Sequence, residues 1–158
     1  MTSLVPPTIV PARLEDAPAM LALQVLAFEP EARACGSREI PPLQETVAGI
    51  EAHIREATVL KAMDGHRLVG AIRGVASGDT CLVRVLVVAQ DQRGQGLGAR
   101  LLAAIEAAHP QAARFELTTN MVMAGNVRFY LRHGYEVVEQ IQHAPTIRLA
   151  FMRKVVRA

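Results

Sequence analysis

Apolar positions change their period along the chain, and each change marks an element. Residues 8–10 form a short β-type run that Pro11 ends. From 14 to 28, Leu14, Ala17, Met20, Leu21, Leu23, Val25, Leu26 and Phe28 recur at helical spacing. Glu15 and Asp16 stand in the first turn, where negative charge suits the positive helix end, and Pro18 is early enough to be tolerated. Pro30 is expected to stop this helix, leaving 30–42, with Gly36 and the Pro41-Pro42 pair, irregular. A second helix fits 43–57, with Val47, Ile50 and Ile54 on one face.

Strands follow. Residues 58–63 and 68–76 read as a hairpin about Asp64-Gly65, and Ser77-Gly78-Asp79 is another turn. The longest β-type run, 80–88, is apolar on both faces and reads as a central strand covered on both sides. Strict alternation would place Leu82, Arg84, Leu86 and Val88 on one face. A glycine-rich turn leads into a helix over 95–109 that Pro110 ends, then a strand over 115–119. A short helix over 126–133 stops at Gly134, and 135–141 with 147–152 close as an antiparallel pair. The order β-α-α-β-β-β-α-β-α-β-β predicts an α/β (α+β) fold with a mixed, mostly antiparallel sheet. The closing pair leaves an edge at which two copies could form a homodimer.

Composition narrows the function. The 158 residues are 51% hydrophobic and 20% charged, which suits one globular domain over 1–158. A formal charge of +2 and an aromatic content of 4% without Trp speak against nucleic-acid binding. No apolar run is long enough for a membrane span, and the start lacks the pattern of a signal peptide. Cys35 and Cys81 form no CxxC pattern, and the five histidines show no ligand spacing, so neither a disulfide framework nor a metal is expected. A reduced, cytoplasmic setting is the simplest reading.

The informative segment is Arg93-Gly94-Gln95-Gly96-Leu97-Gly98-Ala99, between a buried strand and a helix. Glycines let backbone N–H groups approach a ligand, and the helix start adds free donors and a positive dipole end. Together they make a phosphate or pyrophosphate site, to which Arg93 can add a charge-assisted contact. Neither G-x-x-x-x-G-K-[ST] nor G-x-G-x-x-G is satisfied, which excludes a P-loop and a Rossmann fingerprint.

The segment from Arg93 to Gly98 resembles the R/Q-x-x-G-x-G/A signature of the GNAT family of N-acetyltransferases. A second segment, Asn126-Val-Arg-Phe129-Tyr130-Leu-Arg132-His-Gly134-Tyr135, is similar to the family's N-x-x-x-(F/L)-Y-x-x-x-G-(F/Y) pattern, with a slightly shorter spacing than in many members. Val10-Pro-Ala-Arg13-Leu-Glu-Asp16 resembles its opening strand and helix. Gln90 stands where many members have Pro. The resemblance spans roughly residues 8–153 and extends more loosely to a bacterial small-substrate subgroup.

This resemblance implies about seven strands flanked by four helices, and acetyl transfer from acetyl-CoA to a primary amine of a small molecule or peptide. It implies that the backbone of Leu86, Val87 and Val88 pairs with pantetheine and that Arg93, Gly94, Gln95, Gly96, Leu97, Gly98 and Ala99 hold the pyrophosphate. It places Asn126 on the pantetheine arm and Arg132 at the nucleotide phosphates. Tyr130 would otherwise be a packed tyrosine on an amphipathic helix; here it is the candidate general acid. Glu116 is the candidate base, acting through water. Glu116 and Arg84 either pair across adjacent strands or line the acceptor pocket, where Arg84 would hold a substrate carboxylate. Glu39 and Glu45 are either solvated acids or attract a cationic amine. A non-catalytic acyl-CoA-binding module of the same fold is the alternative.

Overall fold

In the computed structural model, which describes residues 5–157, seven strands form one sheet with helices on both faces. The elements are β1 (Thr8–Pro11), α1 (Ala17–Cys35), α2 (Pro41–Gln44), α3 (Val47–Glu56), β2 (Thr58–Asp64), β3 (Arg67–Ser77) and β4 (Thr80–Val88), followed by α4 (Leu97–Ala107), β5 (Arg114–Asn120), α5 (Ala124–Arg132), β6 (Glu136–Ala144) and β7 (Ile147–Val155). The sheet order is β1-β2-β3-β4-β5-β7-β6. The β4–β5 pair is parallel and the others are antiparallel. The expected fold class is the one observed.

Two helix expectations are corrected. Pro30 does not stop α1, which runs on to Cys35 and ends at Gly36 in the left-handed conformation. A proline inside a helix forfeits one hydrogen bond and costs about 3 kcal/mol. The lost partner is the carbonyl of Leu26, an exposed residue, while the added turn buries Ala32 and Cys35 against Ile40 and Ile147. The helix expected over 43–57 is instead α2 and α3, separated at Glu45 and Thr46. Thr46 caps α3: its Oγ1 accepts the Gly49 N–H at 3.0 Å.

The face pattern of β4 is the third correction. Arg84 pairs with Arg73 but Val87 pairs with Ala71, so β4 carries one residue more than β3 between these points. The bulge lies at Val85, whose φ of +49° is rare for a β-branched residue. Antiparallel partners share a face, so Arg84 and Val87 lie together and Val88, opposite Gly70, lies on the other side. The bulge therefore turns Leu86 and Val88 away from the face that carries Leu82 and Arg84.

The core between sheet and helices includes Ile72, Leu101, Leu102, Ile105, Tyr135 and Met152. Gly70 lets α4 approach: a Cβ there would meet Leu101 Cδ1 at 2.9 Å and the Val87 carbonyl at 3.2 Å. Thus α4 covers the face opposite to the one on which Arg73 meets Glu45 beside α2 and α3.

Candidate active site

β4 and β5 pair only where Thr80, Cys81 and Leu82 face Arg114, Phe115 and Glu116. Both strands continue, to Val88 and to Asn120, without pairing further. Into this wedge opens a cavity of about 500 Å³, walled by α1, the distal half of β4, the glycine turn, the start of α4 and α5. The edge of β4 that faces the wedge beyond Leu82 carries backbone groups with no strand to satisfy them.

The glycine turn closes one side. Gly94 (φ +76°) and Gly96 (φ +81°) adopt conformations that a side chain would strain. Gly96 is also the N-cap of α4, with no side chain capping it and no acid in the first turn. The N–H groups of Leu97, Gly98 and Ala99 therefore lack partners within the helix. Below the turn, Gln92 is buried and its Nε2 donates to Asp64 Oδ2 at 3.2 Å. Arg67 grips Asp91 through two bonds of 2.6 and 2.8 Å. Gly98 is different in kind, because a Cβ there would meet the Phe129 ring at an ordinary 3.6 Å. Arg93 and Arg132 supply positive charge to the lining, and Asn126 and His133 complete that side. Donors, dipole and cations converge as an anion site requires. The side chain of Gln95, by contrast, borders a separate hollow with Arg100.

Tyr130 projects from α5 into the same cavity. Its ring is wedged edge-on against Phe129 at 5.2 Å and Tyr135 at 5.7 Å. Burial pushes its phenol up to about 12. The lining also holds a residue that the sequence expectations passed over. Glu31, on the extra turn of α1 beyond Pro30, is 9% exposed. It is the one acid among the residues that line this cavity. Desolvation raises its carboxyl above the usual range, and the neighbouring Asn120 amide only partly opposes this. Asn120 Oδ1 accepts the Val122 N–H at 3.2 Å, while its Nδ2 makes no hydrogen bond among the described residues. Treating Pro30 as a helix end hides Glu31 in the sequence; the signal was an acid beside Ala32 at helical spacing from Phe28.

The other acceptor-side candidates are not gathered around Tyr130. Glu116 receives the Arg153 Nε–H at 2.7 Å, so the expected pairing with Arg84 is not made. Arg84 is exposed on the same face and has no ionic partner among the described residues. Glu45 is not a free surface acid: Arg73 grips it through bonds of 2.9 and 2.6 Å, and Gln24 Nε2 donates to it at 2.7 Å. Burial alone would raise its carboxyl, but the bonds and charge of Arg73, with Gln24 and His53, hold it below the usual range. Glu39 is exposed and outside the cavity.

Cys81 is buried, and burial followed by the charge of Glu106 pushes its thiol up to about 11, which leaves it inert. Among the described residues, no three His, Cys, Asp or Glu side chains converge as a metal site, and no helix is long and apolar enough to cross a membrane.

Comparison with known proteins adds to this geometry. A family model described as an acetyltransferase (GNAT) domain matches residues 38–156. No curated protein matches the chain. Among solved structures, the chain is similar to the ribosomal-protein-S18-alanine N-acetyltransferase from Escherichia coli, at 14% identity and a TM-score of 0.79 over 96% of this chain and 95% of that one. It is also similar to the ribosomal-protein-alanine N-acetyltransferase from Brucella melitensis, at 22% identity and a TM-score of 0.74 over 94% and 99%. A third likeness is yncA from Salmonella typhimurium, solved with its cofactor acetyl-CoA, at 16% identity and a TM-score of 0.76 over 98% and 96%.

Proposed function

The chain belongs to the GNAT acetyltransferases and is an acyltransferase; from that premise we propose that it is a single-domain N-acetyltransferase that moves the acetyl group of acetyl-CoA onto a primary amine by direct attack in a ternary complex. The wedge between β4 and β5 carries this reading, because one cavity joins an anion-binding helix end, an unsatisfied strand edge and a tyrosine hydroxyl. These residues fit the donor. Two left-handed glycines, an acid-free helix start and two arginines suit a diphosphate. The open edge of β4 suits an amide-bearing arm.

When bound, acetyl-CoA supplies an acetyl group activated as a thioester. Leu86, Val87 and Val88 hold the pantetheine arm as an added strand. The N–H groups from Gly94 to Ala99 and the Arg93 guanidinium hold the pyrophosphate. Asn126 hydrogen-bonds the arm, and Arg132 reaches the nucleotide phosphates. A backbone N–H near Val88 polarises the acetyl carbonyl. Tyr130 gives its proton to the departing sulfur. Burial has raised the phenol, but the same surroundings also disfavour a free thiolate, so the transfer stays near balance. Glu116, fixed by Arg153 where β4 and β5 still pair, lines the acceptor groove rather than taking the amine's proton. Arg84 is left to hold an acidic group of the acceptor remote from the amine. The exposed edge strand β6, with Val137, Val138 and Ile141 exposed, is where two copies would pair.

The test is calorimetry with acetyl-CoA, followed by a thiol-release assay against polyamines, amino acids, aminoglycosides and peptides. Binding with amine-dependent thiol release is expected. Binding without release for any amine would favour the non-catalytic module, and no binding would refute the reading.

A further inference from the structure

The charges on the acceptor side of the sheet are mostly settled within the protein. Arg73 is matched by Glu45 and Arg153 by Glu116. Arg84 is unpaired but exposed to water; Glu31 is the buried exception, a carboxylate nine-tenths buried with no cation bonded to it among the described residues. Ionised and without a cation, such a group carries a desolvation penalty that a neutral form or an incoming cation removes. Its fold-level position is also specific. The cations of the lining, Arg93 and Arg132, belong to the glycine turn and to α5, whereas Glu31 comes from α1. Ala27, Phe28 and Pro30 flank it in the lining, so the acid sits in an otherwise apolar wall. The Asn120 amide stands beside it at the end of β5 and offsets only part of the cost of its burial.

Building on the reading above, we infer that Glu31 is the acceptor's docking and proton-accepting group, and that the acceptor is an amine whose adjacent carbon bears no carboxylate. The amine arrives as a cation and settles against the Glu31 carboxylate. One proton passes from nitrogen to Glu31 and leaves through the cavity mouth. The freed nitrogen lone pair forms the C–N bond to the acetyl carbon, and the C–S bond breaks with its electron pair on sulfur. Tyr130 protonates that sulfur and is restored by the second proton from nitrogen. The products are the acetamide, the free thiol and one proton released to solvent. An α-carboxylate on the acceptor would be forced close to Glu31 in an apolar wall, where like charges repel strongly. A free α-amino acid is therefore a poor acceptor, and an amide or alkylamine of equal size a good one.

The experiment compares glycinamide with glycine as acceptors for the wild-type protein and for Glu31→Gln, with acetyl-CoA affinity measured by calorimetry for both. For the wild type, kcat/KM is expected to favour glycinamide by at least about tenfold. In Glu31→Gln, turnover of glycinamide falls by about 10²–10⁴-fold, as loss of a general base predicts. The preference for glycinamide also collapses, while the acetyl-CoA Kd stays the same, which shows that the fold and the donor site are intact. Wild-type rates in Glu31→Gln, or a retained preference, would overturn the inference, as would a wild-type protein that binds acetyl-CoA but acetylates no glycinamide. Failure to bind acetyl-CoA would instead bring down the underlying acetyltransferase reading, and this inference with it.

Discussion

Removal of Glu45 distinguishes a structural acid from a substrate-binding one. Its partner Arg73 is 8% exposed at the side chain and Glu45 is 19% exposed. The pair shares two hydrogen bonds, and Gln24 Nε2 bridges Glu45 to the Pro42 carbonyl, bonding them at 2.7 and 2.8 Å. Glu45→Ala leaves a guanidinium buried and uncompensated, which costs about 3–5 kcal/mol. In a domain of this size each kcal/mol lowers Tm by about 2–4 °C, so a loss of about 6–20 °C is expected by scanning calorimetry at pH 7. Replacing both partners, as Arg73→Leu with Glu45→Leu, should recover most of that loss, since apolar substitutes remove the desolvation problem. The pH dependence has a defined sign. The folded-state carboxyl lies below its ordinary value of 4.5, so its ionised form stabilises the protein fully above that value. The contribution is lost as pH falls through the lower folded-state value, and the gap between wild type and Glu45→Ala narrows there. A Tm loss under about 2 °C, accompanied by a tenfold rise in acceptor KM, would refute this reasoning.

Other outcomes follow from the same geometry. Tyr130→Phe should lower kcat by about 10²–10⁴-fold in the thiol-release assay while acetyl-CoA binds as in the wild type; because the phenol is pushed up to about 12, no activity loss from its ionisation should occur between pH 7 and about 10. Gly96→Ala should destabilise by about 1–2 kcal/mol in urea melts and weaken acetyl-CoA binding, because φ is +81° there. Gly98→Ala, at a position with an ordinary helical conformation and room for a Cβ, should do neither. Cys81 should resist alkylation by iodoacetamide at pH 8 in the folded protein, with its thiol at about 11, and react once urea unfolds the chain.

The backbone geometry of the glycine turn is legible in the chain because it is built from local signals. Glycines at 94 and 96, a helix start without an acid, and a strand of nine residues lie contiguously, and backbone conformation there depends on residue type more than on distant contacts. Tyr130, the proposed acid, is singled out in the chain by resemblance rather than by spacing alone, and the structure places it in the lining of the cavity. The pairing of the charged side chains is not legible in this way. Whether Glu116 meets Arg84 or Arg153 depends on the sheet order, which places β7 beside β5. The bulge at Val85 reverses the alternation that the apolar pattern suggests, and nothing in Val-Arg-Val-Leu announces it. Pro30 carries a strong local signal to stop a helix, yet the apolar contacts of Ala32 and Cys35 with Ile40 and Ile147 outweigh it. The sequence thus determined the conformation of the glycine turn and the acid-free start of α4, because short-range sterics set them. Only the tertiary structure decided which charged side chains are neutralised and which, like Glu31, are left facing the cavity, because an ion pair is formed by residues that the chain brings together from far apart.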